Sequence, residues 1–166
     1  MNISQLLKEK KLNSRLIKEN YNFLKKNKAL GIILISDINV LEQLLVGCRA
    51  LPVNFVVYTK NNFDIDANNI VFSESDEINS GFDFIVTDNN VVGIDNYLKK
   101  GIVPIIPEKN YMRSILKEFN PMKNEGNSFF YDNSDAWSIF YSIVRYLENY
   151  KFSFDNKNLV KNVFNT

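Results

Sequence analysis

Pro121 to Tyr150 reads PMKNEGNSFFYDNSDAWSIFYSIVRYLENY. A glycine-bearing loop leads into a short aromatic strand, Ser128–Tyr131. Asn133 or Ser134 follows as a helix cap. The helix then carries Ala136, Ile139, Phe140, Ile143 and Leu147 on one face. A strand that turns into an amphipathic helix over so few residues is the closing half of a βαβ unit.

The same alternation extends upstream. Leu30–Ser36, LGIILIS, is a continuous apolar run suited to a strand buried on both faces of a parallel sheet. From Asn39 to Ala50, Val40, Leu41, Leu44, Leu45 and Cys48 recur at helical spacing, and Pro52 stops that helix. Strands are predicted at Val53–Thr59, Ile70–Ser73, Phe82–Thr87 and Ile102–Ile106, each bounded by turn residues. A helix over about Val92–Lys100 ends at Gly101, suited to a left-handed cap. Another is expected around Tyr111–Phe119, broken by Asn120-Pro121. Connections this short imply right-handed crossovers with helices on both faces. The predicted fold is α/β, a single Rossmann-like doubly wound parallel sheet over residues 30–166. Residues 1–29 form a polar helical extension, whose Leu6, Leu7, Leu12, Leu16 and Ile17 are too loosely spaced for a heptad.

Composition narrows the function classes. A chain of 166 residues is one domain by the usual prior. Its 45% hydrophobic and 23% charged residues are those of a globular protein. With 20 basic against 19 acidic residues, no net field recruits nucleic acid or an anionic membrane, and neither is expected as a partner. The absence of histidine removes the commonest general base and most transition-metal sites. Cys48, set among Leu44, Leu45, Val46 and Leu51, reads as a buried small hydrophobe. A single cysteine forms no internal disulfide, and MNISQLLKEKKLNSRL holds no apolar core of signal-peptide length. A cytoplasmic location is expected. The 25 asparagines are dispersed among core-forming residues, which reads as codon bias and not as a low-complexity tract.

In doubly wound folds ligands bind beyond the carboxyl ends of the strands. The loops after Ser36, Thr59, Thr87, Ile106 and Tyr131 are therefore the ones that matter. None has paired glycines, and neither a G-x-G-x-x-G nor a Walker pattern occurs. Asp37 and Asp88 lie just past strands, where an aspartate ligates a metal or caps a helix. Asp83 and Asp95 are weaker candidates. Lys109 and Arg113 are the best placed cations for a phosphate. Trp137, Phe129, Phe130 and Tyr131 offer stacking surfaces, although aromatics at such places belong more often to the core.

From about Phe82 onward the chain resembles the C-terminal half of a GT-B glycosyltransferase of the glycogen/starch synthase family. Tyr97–Ile106, YLKKGIVPII, is similar to the segment running into G-T-x-P-[IV]-V. Ile115–Asp132, ILKEFNPMKNEGNSFFYD, is similar to the stretch leading through D-x-x-P to G-T-G-F-x-F. Asn133–Ile143, NSDAWSIFYSI, resembles the S/D-x-A-W-S-L-L-x-A-I helix start. The first eighty residues match by topology alone. The resemblance implies ADP-glucose or UDP-glucose as ligand, with no cofactor or metal, bound in a cleft between two such domains. This chain has room for one of the two. A separately encoded partner or a homodimer is the corresponding expectation.

The family's binding residues are altered where they can be placed. Its first-strand arginine falls at Asp37, a charge reversal, and its lysine partner has no clear equivalent. Its E-x7-E glutamates fall on Asp88 and Asn96. The glycine pair of R-x-G-G-L falls on Asn110 and Tyr111, whose side chains obstruct close backbone approach to phosphate. Catalysis in this family rests on electrostatic stabilisation of the leaving diphosphate. The expected protein is a glycosyltransferase-like domain without independent catalysis.

Phe82–Asn96, FDFIVTDNNVVGIDN, also resembles the segment around the phosphoacceptor of response-regulator receivers. Asp88 would then be the acceptor, and Ser36-Asp37 the acidic pair, halved. The lysine expected after the last strand is replaced near Asp132-Asn133, and the fourth-strand hydroxyl near Pro107.

Overall fold

The computed structural model describes residues 1–89 and 92–166. Six parallel strands form one sheet: β1 Ala29–Leu34, β2 Val53–Tyr58, β3 Ile70–Ser73, β4 Phe84–Thr87, β5 Val103–Pro107 and β6 Phe129–Tyr131. Their order is β3-β2-β1-β4-β5-β6, with every neighbouring pair parallel. This doubly wound arrangement has its switch point between β1 and β4. The helices are α1 Ile3–Asn20, α2 Ile38–Cys48, α3 Ile94–Leu98, α4 Ala136–Tyr150 and α5 Ser153–Phe164.

The strand residues are β-branched and aromatic because both faces of the sheet are covered. On one face Ile33, Phe55, Val57, Phe84, Val86 and Ile105 pack against Leu41, Leu45, Ile139, Ile143, Tyr146 and Leu159 of α2, α4 and α5. The Phe84 ring lies 4.6 Å from that of Tyr146 and meets Phe55 edge-on at 6.0 Å. On the other face Leu30, Ile32, Val56 and Ile85 meet Ile17 of α1, Phe23, Tyr97 of α3 and Ile102. α1 is held further by Lys10, whose Nζ donates to Ser80 O at 3.0 Å and Phe82 O at 2.6 Å. Cys48 is fully buried, and burial pushes its thiol pKa up.

Several local expectations need correction. In place of a helix over Tyr111–Phe119 there is a four-residue 3-10 turn, Tyr111–Ser114. Glu118 and Asn120 then form isolated bridges with Ser128 and Glu125. Asn127 fastens this segment, accepting from Lys117 N at 2.8 Å and donating to Ile115 O at 3.1 Å. The cap of α4 is Asp135, not Asn133 or Ser134, and it accepts from Ser138 N at 2.8 Å. Phe129, Phe130 and Tyr131 are core, but Trp137 is 81% exposed, held edge-on to Phe140. Gly101 takes the expected left-handed conformation, with φ 63°.

Candidate functional site

The carboxyl ends of β1 and β4 meet at the switch point through two residues. Asp88 Oδ2 accepts from Ser36 N at 2.6 Å and from Ser36 Oγ at 2.5 Å. Directly behind it, Thr87 O accepts from the Tyr131 hydroxyl at 2.6 Å. That bond runs from β6 to β4 across β5. Burial, and then the charge of Asp88, raises the Tyr131 pKa, so the phenol stays a donor.

Asp37 occupies the start of α2. Its Oδ1 accepts from Asn39 N at 3.0 Å and Val40 N at 3.1 Å. The helix N-terminus, with its unpaired N–H groups and positive dipole end, is where an anion would be expected to bind. Here the chain's own carboxylate is already there.

Beyond β5, Asn110 is buried and caps the 3-10 turn, accepting from Met112 N at 2.8 Å. Its Nδ2 donates to Asn89 Oδ1 at 3.3 Å, linking this loop to the residue after Asp88. Tyr111 is 61% exposed. The Arg113 guanidinium lies 4.2 Å from the centre of the Phe130 ring and donates to Leu116 O at 3.0 Å. It is spent on local packing. Lys109 and Asn96 are exposed and, among the described residues, take no part in this hydrogen-bonded set. Asp95 pairs with Lys99 at 3.3 Å on α3. Asp83 lies at the other end of the sheet, accepting from Leu30 N at 2.9 Å.

Of the predicted residues, the structure therefore brings Asp37 and Asp88 to either side of Ser36, with Asn110 reached through Asn89. Among the described residues, Asn96, Lys109 and Arg113 make no side-chain hydrogen bond with them. The sequence offers Ser36 only as half of a receiver-type acidic pair and Tyr131 only as a stacking surface; their hydrogen bonds to Asp88 and Thr87 are not anticipated from it. A hydroxyl immediately after a buried strand was the available signal for Ser36. The set, among the described residues, is two carboxylates, amides and hydroxyls, with no cation in the hydrogen bonds between them. Among the described residues no group of three or more acidic or cysteine side chains is placed to hold a metal ion. No helix among them is long and apolar enough to cross a membrane.

A six-stranded doubly wound sheet with its loops gathered at one switch point defines a Rossmann-like domain. No protein-family model and no curated protein sequence matches the chain. Solved structures do. The catalytic domain of starch synthase IV from Arabidopsis thaliana, bound to ADP and acarbose, superposes with a TM-score of 0.77 at 12% identity, over 100% of this chain and 40% of that one. Sucrose-phosphate synthase from Thermosynechococcus elongatus gives 0.61 at 10% identity, over 89% and 42%. A spinosyn forosaminyltransferase gives 0.60 at 14% identity, over 89% and 41%. The chain thus has the fold of one half of a GT-B glycosyltransferase, of the C-terminal kind, and spans about 40% of the length of the structures it matches.

Proposed function

We propose that this chain is a glycosyltransferase-like half-domain without independent catalytic competence, whose hold on a nucleotide sugar is weak. The observation that carries this reading is the carboxylate of Asp37 on the N-terminus of α2. A donor diphosphate at the switch point would meet Asp37 and Asp88 and, among the described residues, would find neither a free helix start nor a cation hydrogen-bonded in place. Like charges at such range oppose binding, and they would also oppose the charge that develops on a leaving diphosphate. The loop after β5 adds a steric obstacle, since Asn110 and Tyr111 carry side chains where backbone would have to approach phosphate.

A second half-domain, supplied by a partner or another copy, would complete the cleft in which GT-B enzymes work. The test is turnover by the full chain with ADP-glucose or UDP-glucose and an α-glucan acceptor. No nucleoside diphosphate release above the uncatalysed rate is expected. Release that follows enzyme concentration would overturn the reading.

One observation favours a second reading, a receiver-like signalling domain. β4 lies beside β1, so Asp88 sits next to Ser36-Asp37, as an acceptor aspartate would sit beside an acidic pair. Mg²⁺-dependent labelling of Asp88 by a small phosphodonor, lost in Asp88→Asn, is the result that would establish it in place of the first.

A further inference from the structure

A groove of about 1600 Å³ lies at the opposite end of the sheet from the switch point, bordered by Ala29, Pro52 and Asp83 at the amino ends of β1, β2 and β4. Its walls are α1, the chain from Phe23 to Lys28, and the junction of α4 with α5. It is larger than the roughly 300–1,000 Å³ of a small-molecule pocket.

The groove gathers charge that the composition hides. Ten of the chain's 20 basic residues line it, against two of its 19 acidic ones. Elsewhere ten basic residues face seventeen acidic. A chain of net charge +1 is therefore strongly polarised, positive at this groove and negative over the rest. Lys10 and Lys18 are committed internally, Lys18 Nζ donating to Lys28 O at 2.6 Å. Lys8, Lys11, Lys25, Lys26, Lys28 and Lys157 make no ion pair among the described residues. Between them the lining is apolar, with Leu7, Leu12, Leu147 and Val160.

We infer that this groove docks an acidic amphipathic segment of a partner protein. Basic walls with apolar residues between them match a helix that carries leucine-type residues on one face and carboxylates on its flanks. A phosphodiester backbone would satisfy the lysines but leave the apolar lining uncovered, and the acidic remainder of the chain would repel its flanking phosphates. The inference is independent of the donor-site reading, because the two surfaces are at opposite ends of the sheet.

The test is fluorescence anisotropy of a labelled helical peptide with leucines on one face and glutamates elsewhere, titrated with the full chain. A peptide of the same composition in scrambled order, an oligothymidylate and anionic phosphatidylserine vesicles are run beside it. Saturable binding of the amphipathic peptide is expected, weakened at least tenfold by the triple variant Lys11→Glu/Lys25→Glu/Lys157→Glu and unchanged by Lys123→Glu outside the groove. Thermal unfolding of both variants verifies that they fold. Equal binding of the scrambled peptide, tighter binding of the oligonucleotide or vesicles, or no saturable binding would each overturn the inference. So would concentration-dependent dimerisation abolished by the triple variant, which would make a second copy the occupant.

Discussion

Ser36 and Asp88 join the ends of two strands that are 52 residues apart in sequence, with both the amide and the hydroxyl of Ser36 donating to a single carboxylate oxygen. Hydrogen bonds to charged acceptors are among the stronger ones. The pair lies near the surface, however, so water competes for it. Ser36→Ala keeps the amide bond and loses the hydroxyl. A loss of about 0.5–1 kcal/mol is expected, read from the urea midpoint at unchanged slope.

Asp37→Ala removes the cap from α2 and should cost about 1 kcal/mol, whereas Asp37→Ser, which also caps, should stay within a few tenths. Asp37→Arg loses the cap and sets a cation against the helix dipole, so it should be the least stable of the three. Thermal unfolding of the series gives the order. Equal stability of all three would mean that the carboxylate is not engaged by Asn39 and Val40.

Gly126 has φ 90°, and a Cβ there would stand 2.2 Å from the backbone oxygen of Glu118. The Glu118–Ser128 bridge runs through this point, and the Glu118 side chain, ion-paired to Arg145, also accepts from Phe130 N at 2.9 Å. Gly126→Ala should therefore cost on the order of 3 kcal/mol, combining left-handed strain with a backbone clash. A denaturation midpoint equal to that of the parent would contradict the packing described for this loop.

Lys10 provides a test in pH. Burial lowers its pKa to about 8, although Asp83 and Glu9 oppose the shift. Between that value and the unfolded pKa near 10.4 the unfolded chain binds more protons, so this group's contribution to stability increases as pH rises. Between pH 8 and 9 the gain is about 1 kcal/mol. Cys48 acts in the opposite sense, because its raised pKa keeps the folded thiol protonated while the unfolded one ionises, and it offsets a few tenths at pH 9. Buried tyrosines such as Tyr58 and Tyr131 add to that loss above pH 10. Lys10→Met leaves Asp83, whose pKa burial already raises, without its cation, and should remove the gain. Urea midpoints of both proteins at pH 7, 8 and 9 isolate the difference.

How far the sequence reaches can be seen in single elements. Ile70–Ser73 is a strand with the expected bounds, because an apolar run between turn residues has few other uses in a parallel sheet. Tyr111–Phe119 is not helical, although Met112, Leu116 and Phe119 are all buried. A 3-10 turn followed by an extended segment bridged to Ser128 buries the same residues, and spacing alone does not separate the two. Asp37 and Asp88 were legible as acids just past strands. Their link through Ser36 was not, because it depends on β1 lying beside β4. The basic groove was equally hidden: its lysines run from Lys8 to Lys157 and become one surface only in the fold.

The central claim is that the carboxyl end of this sheet has lost its grip on a sugar nucleotide. Calorimetric titration of ADP-glucose and of UDP-glucose into the full chain tests it most directly. The account predicts no saturable heat with either up to about 1 mM, the concentration at which a binding free energy of roughly −4 kcal/mol would half-fill the site. A saturating isotherm in the micromolar range, altered by substitution of Asp37 or Asp88, would contradict it.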